Sequence, residues 1–443
     1  MSQYPLLRHE HHEQPIAWRN GEAVSVARFL REIRQLAEIL PQRRHVLNLC
    51  TDRYRFLTLF CAALLRGQTN LLPPNHAENT LQRLHASHPD AYGMSDKPLT
   101  VPGLDLMPFP DLPCEDTLAT DVPAIEGSHV AAIAFTSGST GEPQAHPKTW
   151  ASLVRQAQLQ AAGLGLAAGV NILGTVPPQH MYGLESTLMM TLHNGGALHA
   201  GQPLFPADIR RALEELPVPR VLVTTPLHLR ICLEEPNALP PLALILSAAA
   251  PLSVELAQHA EQCFDAPVKE IYGCTEAGAI ACRRTVLGAD WETLAGIAIH
   301  NDEDGQAWAT GGHLESPVPL QDVIETGTGG DRFRLLGRKA DQVKIAGKRA
   351  SLGDLNRQLN QIPGVRDGVF FAPDGQAGMA PRLIALVVAP ELRESEILAA
   401  LRHRIDPAFL PRPLYLIDAL PRTTTGKLPR DTVARMLEEL QHA

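Results

Sequence analysis

Several short stretches of this chain gather residues able to handle phosphate and charge. From Phe135 to Lys148 it reads FTSGSTGEPQAHPK. The hydroxyls of Thr136, Ser137, Ser139 and Thr140, with the backbone freedom of Gly138 and Gly141, direct oxygens and N–H groups into one small volume. A polyphosphate cradle is built that way, and so is an ordinary polar surface turn. A Gly-Lys-Ser/Thr phosphate loop is excluded, because no lysine follows either glycine. The segment YGCTE combines the ring of Tyr272, the flexible Gly273, the hydroxyl of Thr275 and the carboxylate of Glu276. A ring can lie on a purine, a hydroxyl can reach a phosphate, and a carboxylate can hold Mg²⁺, which keeps phosphate oxygens as its other ligands. Alone, the segment reads equally as a turn. With the hydroxyl-rich loop it implies a nucleoside triphosphate and a metal on one sheet edge. Further candidates are PPQHMYG (His180, Tyr182), SAAAPLS (Ala248, Ala249), GRKADQVKIAGKR from Gly337 to Arg349, and PRTTTGKLPR, which contains Lys427.

These residues must be positioned by strands and helices, and the apolar pattern supplies both. Val26, Phe29, Leu30, Ile33, Leu36, Ala37 and Leu40 form a helical stripe. His45 to Leu49 reads as a strand, Tyr54 to Leu65 as a helix, and Asn70 to Leu72 as a strand before Pro73 and Pro74; a helix from Thr80 to Ala86 and a Pro-rich connector lead to a strand at Val130 to Phe135. Helices are expected at Trp150 to Ala162, Ala207 to Leu216 and Val254 to Cys263. Strands are expected at Asn171 to Val176, Arg220 to Thr224, Leu242 to Leu246 and Val268 to Ile271. Each of these strands ends in small or polar residues. That alternation predicts an α/β fold with a mainly parallel sheet, whose ligands lie at the carboxyl ends of the strands.

The totals exclude several classes. A net charge of −9 argues against a nucleic-acid surface as the main function. The seven cysteines form no CxxC pair, which fits core thiols in a reducing compartment, with neither zinc nor a disulfide framework. The start, MSQYPLLRHEHHEQ, lacks the basic and apolar pattern of a signal peptide, so the cytoplasm is the expected compartment. His9, His11 and His12 read as part of a frayed polar terminus. Two long uncharged stretches fail as membrane spans, the first broken by five glycines and Pro-Pro-Gln-His, the second by prolines at 236, 240, 241 and 251.

The order of the hydroxyl- and glycine-rich loop, YGCTE, GRKADQVK followed by Gly347 and Arg349, and PRTTTGK resembles the adenylate-forming superfamily of acyl-CoA synthetases, luciferases and nonribosomal peptide adenylation domains. The likeness covers most of the chain. It implies a large N-terminal domain of mainly parallel β-sheets with flanking helices over residues 1–336. A hinge follows at 337–341, then a small, mobile C-terminal α+β lid over 342–443, with helices at Leu352 to Gln361, Glu394 to Arg404 and Pro429 to Gln441. It implies that Thr136, Ser137, Gly138, Ser139, Thr140 and Gly141 hold the β- and γ-phosphates, and that His180 lies beside the acyl pocket. Ala248 and Ala249 would line adenine and the acyl group, with Tyr272 and Gly273 on the flank of adenine. Thr275 would meet the α-phosphate, Glu276 the Mg²⁺, Asp322 the ribose hydroxyls, and Arg338 the ribose or phosphate. Lys427 would be the mobile lysine that bridges carboxylate and α-phosphate, where two anions must be brought together. The implied reaction is acid plus ATP to acyl-adenylate and pyrophosphate, then transfer to CoA or to the phosphopantetheine of a separate acyl carrier protein, with Lys427 used only in the first half.

Some positions depart from the resemblance. Gln144 stands where the loop lysine is usual, and Lys148 is the substitute available nearby; Ala340 occupies the hinge position, with Asp341 one residue on. The stretch HMYGLEST lacks the aspartate that holds an α-ammonium, which favours an aryl or fatty acid without an α-amine. A pocket edged by His180, Tyr182 and Thr225 would suit a hydroxylated aryl acid. The competing reading, a nucleotide- or acyl-binding protein without turnover, is motivated by Gln144 and Ala340, and the joint retention of Glu276, Asp322, Arg338 and Lys427 argues against it.

Overall fold

The computed structural model describes residues 2–113, 120–137, 143–235, 239–327, 329–338, 342–345, 348–373, 382–422, 428 and 430–442. It has two compact units, residues 1–298 with 309–318, and residues 299–308 with 319–443.

In the first unit β1 (Gln3–Pro5) pairs with β8 (Ala124–Glu126). The N-terminus is therefore not frayed, contrary to the expectation from its polarity: Leu6 and Leu7 are fully buried and His9 Nε2 bonds the Gly196 carbonyl at 2.8 Å. A six-stranded sheet combines β4 (His45–Asn48), β5 (Thr69–Leu72), β6 (Tyr92–Ser95), β7 (Leu106–Pro108), β9 (Val130–Ser137) and β10 (Pro143–Thr149), in the order β10-β9-β5-β4-β6-β7. All its pairings are parallel except β9 with β10. The second sheet runs through β17 (Trp291–Thr293), β16 (Gly278–Arg284), β15 (Val268–Cys274), β14 (Leu244–Ser247), β13 (Arg220–Thr224), β11 (Asn171–Gly174), β12 (Ala197–His199), β2 (Pro15–Arg19) and β3 (Glu22–Ser25). From β15 to β2 it is parallel, and it is antiparallel at both margins.

One core lies between these sheets. Helices α1 (Val26–Ile39), α2 (Arg53–Leu65) and α4 (Trp150–Leu164) fill it with Phe29, Phe56, Phe60 and Trp150. Each fully buried phenylalanine or leucine contributes about 1.5–3 kcal/mol. Ser25, Asp52 and Thr149 start these helices by accepting the backbone N–H groups of Arg28, Arg55 and Ser152. The outer face of the second sheet is closed by helices Pro206–Glu214, Pro226–Glu234 and Val254–Phe264, and that of the first by α3 (Glu78–Ser87). Layers of helix, sheet, helix, sheet and helix result. The thiols of Cys50, Cys61, Cys232 and Cys282 belong to the interior as expected, whereas Cys263 is exposed and Cys274 half-buried.

In the second unit, Asp322–Thr326 and Arg332–Arg338 form an antiparallel hairpin, followed by the hairpin Gln342–Ile345 with Lys348–Ser351. Helix Leu352–Asn360 leads to a three-stranded sheet of Asp367–Phe371, Ile384–Val388 and Leu414–Leu416. Its central strand sends Ala385 and Val387 to a core shared with Leu355, Leu359, Ile397 and Leu401, and Ile384 and Leu386 to one with Val433 and Leu437. That period of two puts a hydrophobic cluster on each face. The units divide at Val318 and Pro319, ahead of residue 336, and helix Leu352–Asn360 packs on the second strand of the 322–338 hairpin. The proposed hinge residues Lys339, Ala340 and Asp341 lie outside the described residues.

Candidate active site

The hydroxyl-rich stretch is the end of a hairpin. Val130–Ser137 and Pro143–Thr149 pair antiparallel, with Gln144 opposite Thr136 and Pro143 opposite Ser137. The second strand escapes a sequence reading because it holds two prolines. It survives because it is the sheet's edge strand, where a missing N–H breaks no ladder. Gly138, Ser139, Thr140 and Gly141 lie outside the described residues. Gln144, His146 and Lys148 share one face of the edge strand, and that face meets the YGCTE segment. His146 Nε2 shares a hydrogen bond of 3.1 Å with Thr136 Oγ1 and lies 3.8 Å from Glu276 Oε1. Lys148 Nζ donates to the Glu276 carbonyl at 2.6 Å. Burial holds the His146 pKa down, against the pull of Glu276 and with the push of Lys148. His146 was not singled out in the sequence; its only signal was its place two residues beyond Gln144.

Val268–Cys274 carries Tyr272 and Gly273 outward, and the chain returns through Gly278–Arg284. The register shifts between Tyr272 and Gly273, a bulge of the kind that re-aims side chains beside active sites. Gly273 is required, since a Cβ there would run into the Gly278 carbonyl. The Tyr272 ring is half-buried, 5.6 Å from that of Trp291, over which the Arg283 guanidinium lies at 4.4 Å. Arg283 is itself fixed by the buried Glu270 carboxylate at 2.6 Å. The Glu276 side chain is 42% exposed, so its carboxylate is open to a ligand, and Thr275 beside it is half-buried.

His180 stands at the N-cap position of the short helix Met181–Gly183, which continues into a π-helix at Leu184–Met189, a rare geometry frequent at functional sites. The approach to His180 is held by Arg53, which is fully buried and donates to the carbonyls of Gly174 at 2.9 Å and Val176 at 2.8 Å and to Thr187 Oγ1 at 3.0 Å. Burial lowers its pKa to about 10, so the cation persists at neutral pH. Tyr182 and Thr225 do not edge a pocket with their hydroxyls as expected. The Tyr182 proton is shared between the carbonyls of Thr224 at 3.0 Å and Leu246 at 2.8 Å, and Thr225 is buried as the cap of Pro226–Glu234. Both close open strand ends. At the end of Leu244–Ser247, Ala248 is buried and Ala249 has φ +72°. That conformation is costly for a residue with a Cβ and persists only where its surroundings impose it.

In the second unit Asp322 stands directly opposite Arg338 in the hairpin register. The carboxylate expected at the ribose and the arginine expected beside it are thus cross-strand neighbours. Lys427 lies outside the described residues.

A family model described as AMP-binding enzyme matches residues 42–319, well over half the chain. The chain belongs to the AMP-binding enzyme family. A 4-coumarate–CoA ligase from Rhodobacter capsulatus is 31% identical over 316 residues, which cover 69% of this chain and 77% of that protein. Among solved structures, the o-succinylbenzoate CoA synthetase MenE of Bacillus subtilis with its acyl-adenylate intermediate superposes with a TM-score of 0.82 at 17% identity, covering 98% of both chains. ATP-bound MatB of Rhodopseudomonas palustris gives 0.82 at 16% identity, covering 98% of this chain and 97% of that one. At such identities these two speak for the fold. This AMP-binding enzyme is an AMP-forming acid–thiol ligase: it uses ATP to convert a carboxylic acid to an acyl-adenylate and passes the acyl group to a thiol.

Proposed function

We propose that the acid is an aryl or fatty acid without an α-amino group and that the thiol is CoA. The reading of the site is carried by one observation: His146 links Thr136 of the hydroxyl-rich loop to Glu276 of YGCTE at 3.1 and 3.8 Å, so the loop, at the edge of the first sheet, meets the carboxylate at a strand end of the second rather than on one shared sheet edge. Glu276 is the protein's contact to Mg²⁺. Among the described residues no group of three or more His, Cys, Asp or Glu could hold a metal unaided, which suits an ion brought in on the triphosphate, with phosphate oxygens as its other ligands. When bound, that ion neutralises the departing pyrophosphate.

Thr136, Ser137 and the loop they open contact the β- and γ-phosphates, Thr275 the α-phosphate, and Tyr272, Gly273, Ala248 and Ala249 the adenine. Asp322 and Arg338 take the ribose and its phosphate, His180 lies by the acid, and Lys427 neutralises the crowded carboxylate and α-phosphate. For the acid, the support is the absence of an aspartate in HMYGLEST and the likeness to a ligase named for 4-coumarate. For CoA it is that relative's name and the −9 charge, which gives no general attraction to an acidic carrier. Among the described residues no helix is long and apolar enough to cross a membrane, and we place the enzyme in the cytoplasm, where ATP and CoA are supplied.

The acceptor is tested by incubating the enzyme with ATP, Mg²⁺ and a panel of aryl and fatty acids, with CoA or with a phosphopantetheinylated carrier protein in parallel. Acyl-CoA is expected by mass spectrometry; thioester on the carrier alone would replace CoA as the acceptor.

A further inference from the structure

The turn that carries Glu276 is gripped from beneath. Three of its backbone groups are bonded by side chains from distant elements. The Glu276 carbonyl accepts from Lys148 Nζ at 2.6 Å, the Ala277 carbonyl accepts from His313 Nε2 at 2.7 Å, and the Ala279 N–H donates to Glu185 Oε2 at 3.1 Å. Lys148 comes from the edge strand, Glu185 from the π-helix and His313 from the segment 309–318 of the same unit. They are 8%, 4% and 3% exposed. Gly278, at φ +72°, lies against the Glu185 carboxylate so closely that a Cβ would not fit.

Such an arrangement is costly as packing alone, because ammonium and carboxylate groups lose water on burial. Burial pushes the Glu185 pKa up to about 7 and that of Lys148 down, each partly offset by the other's charge. Burial also lowers His313 to about 4, so its ring is neutral, and bonding to a carbonyl fixes the proton on Nε2. Apolar residues would fill the same space at lower cost but could not hold three backbone groups of a turn.

We infer that Lys148, Glu185 and His313 form a buried clamp that fixes the reach of Thr275 and Glu276 toward the nucleotide and its metal. Lys148 acts through the Glu276 carbonyl and makes no phosphate contact of its own. All three are positioning residues, and the inference rests on the proposed roles of Thr275 and Glu276. Two readouts on the full-length enzyme test it: amide hydrogen exchange across residues 274–280, and the Mg²⁺ midpoint of the thermal shift given by ATP.

Lys148→Met and His313→Ala are expected to speed exchange in the turn about tenfold, as loss of one charged or buried hydrogen bond allows, and to raise the Mg²⁺ midpoint by a similar factor. Helix Arg53–Leu65 should keep its protection. His313→Gln, which retains a donor, should restore both readouts, and it serves as the deciding variant if His313→Ala does not fold. Unchanged turn protection would overturn the clamp, and so would lost protection with an unchanged Mg²⁺ midpoint. Neither readout needs turnover. A wild-type protein that shows the ATP shift but activates no acid would therefore sink the proposed acid and acceptor while the clamp is judged on its own.

Discussion

At the level of single residues, the chemistry of this site is divided between side chains that face a ligand and side chains that hold the backbone behind them. Glu276 keeps its carboxylate open while its own carbonyl is tied to Lys148, 128 residues earlier. The ligand-facing residues were legible in the sequence because they lie in short runs with distinctive composition. Of the holding residues, Lys148 was legible only as a substitute for the loop lysine, whereas its ammonium is bonded to the Glu276 carbonyl; Glu185 and His313 carried no signal, since the three meet only in the fold. Tyr182 shows the converse, a residue suited by type to substrate binding whose hydroxyl proton is committed to two strand-end carbonyls. Tyr182→Phe should cost about 1–2 kcal/mol, as expected for buried carbonyls losing a donor, and leave the order of acid preference in adenylation unchanged. Urea unfolding paired with the acid panel checks this; altered preference without loss of stability would return Tyr182 to the pocket.

At the level of elements, strand–helix alternation gave the central parallel strands, because buried parallel strands are short apolar runs bounded by turn residues, but not the parallel strands Pro15–Arg19, Tyr92–Ser95, Leu106–Pro108 and Ala197–His199. Pro143–Thr149 was missed for the opposite reason: PQAHPKT has neither apolar alternation nor strand propensity, and it is held as an edge by pairing with Val130–Ser137. The π-helix at Leu184–Met189 was equally invisible, since its sequence LESTLM reads as ordinary helix. The C-terminal helices were within a few residues of expectation, and their role carries the next prediction. If Lys427 serves only acid activation, Lys427→Ala should abolish acyl-adenylate formation by at least about a hundredfold, the scale of losing one charge-stabilising group, and largely spare thioester formation from supplied acyl-adenylate. Rapid-quench measurement of the two half-reactions checks it. Equal loss in both would assign Lys427 to a shared step.

At the level of the whole molecule, the interior is rich in buried imidazoles, and this sets how the protein responds to pH. Burial lowers the pKa of His193 to about 3 and of His313 to about 4, and also lowers His9, His76, His146 and His228. Each takes up a proton more readily unfolded, near pH 6.5, than folded. Stability held above that pH is therefore lost as pH falls toward the folded values. Glu185 runs the other way, since its raised pKa of about 7 gives stability that is lost as pH rises from about 4.5 through 7, but it is one group against six. His193 lies edge-on to Trp150 with both ring nitrogens buried and without hydrogen bonds among the described residues. His193→Phe should accordingly flatten the decline in unfolding free energy between pH 7 and pH 5; a variant with the wild-type slope would exclude His193 as a source. The central claim, that this molecule joins a carboxylic acid without an α-amine to AMP, is tested most directly by acid-dependent ATP–pyrophosphate exchange over a panel of aryl, fatty and amino acids. Exchange with an aryl or fatty acid and none with amino acids is the predicted result; exchange driven by an amino acid, or by no acid despite ATP binding, would contradict it.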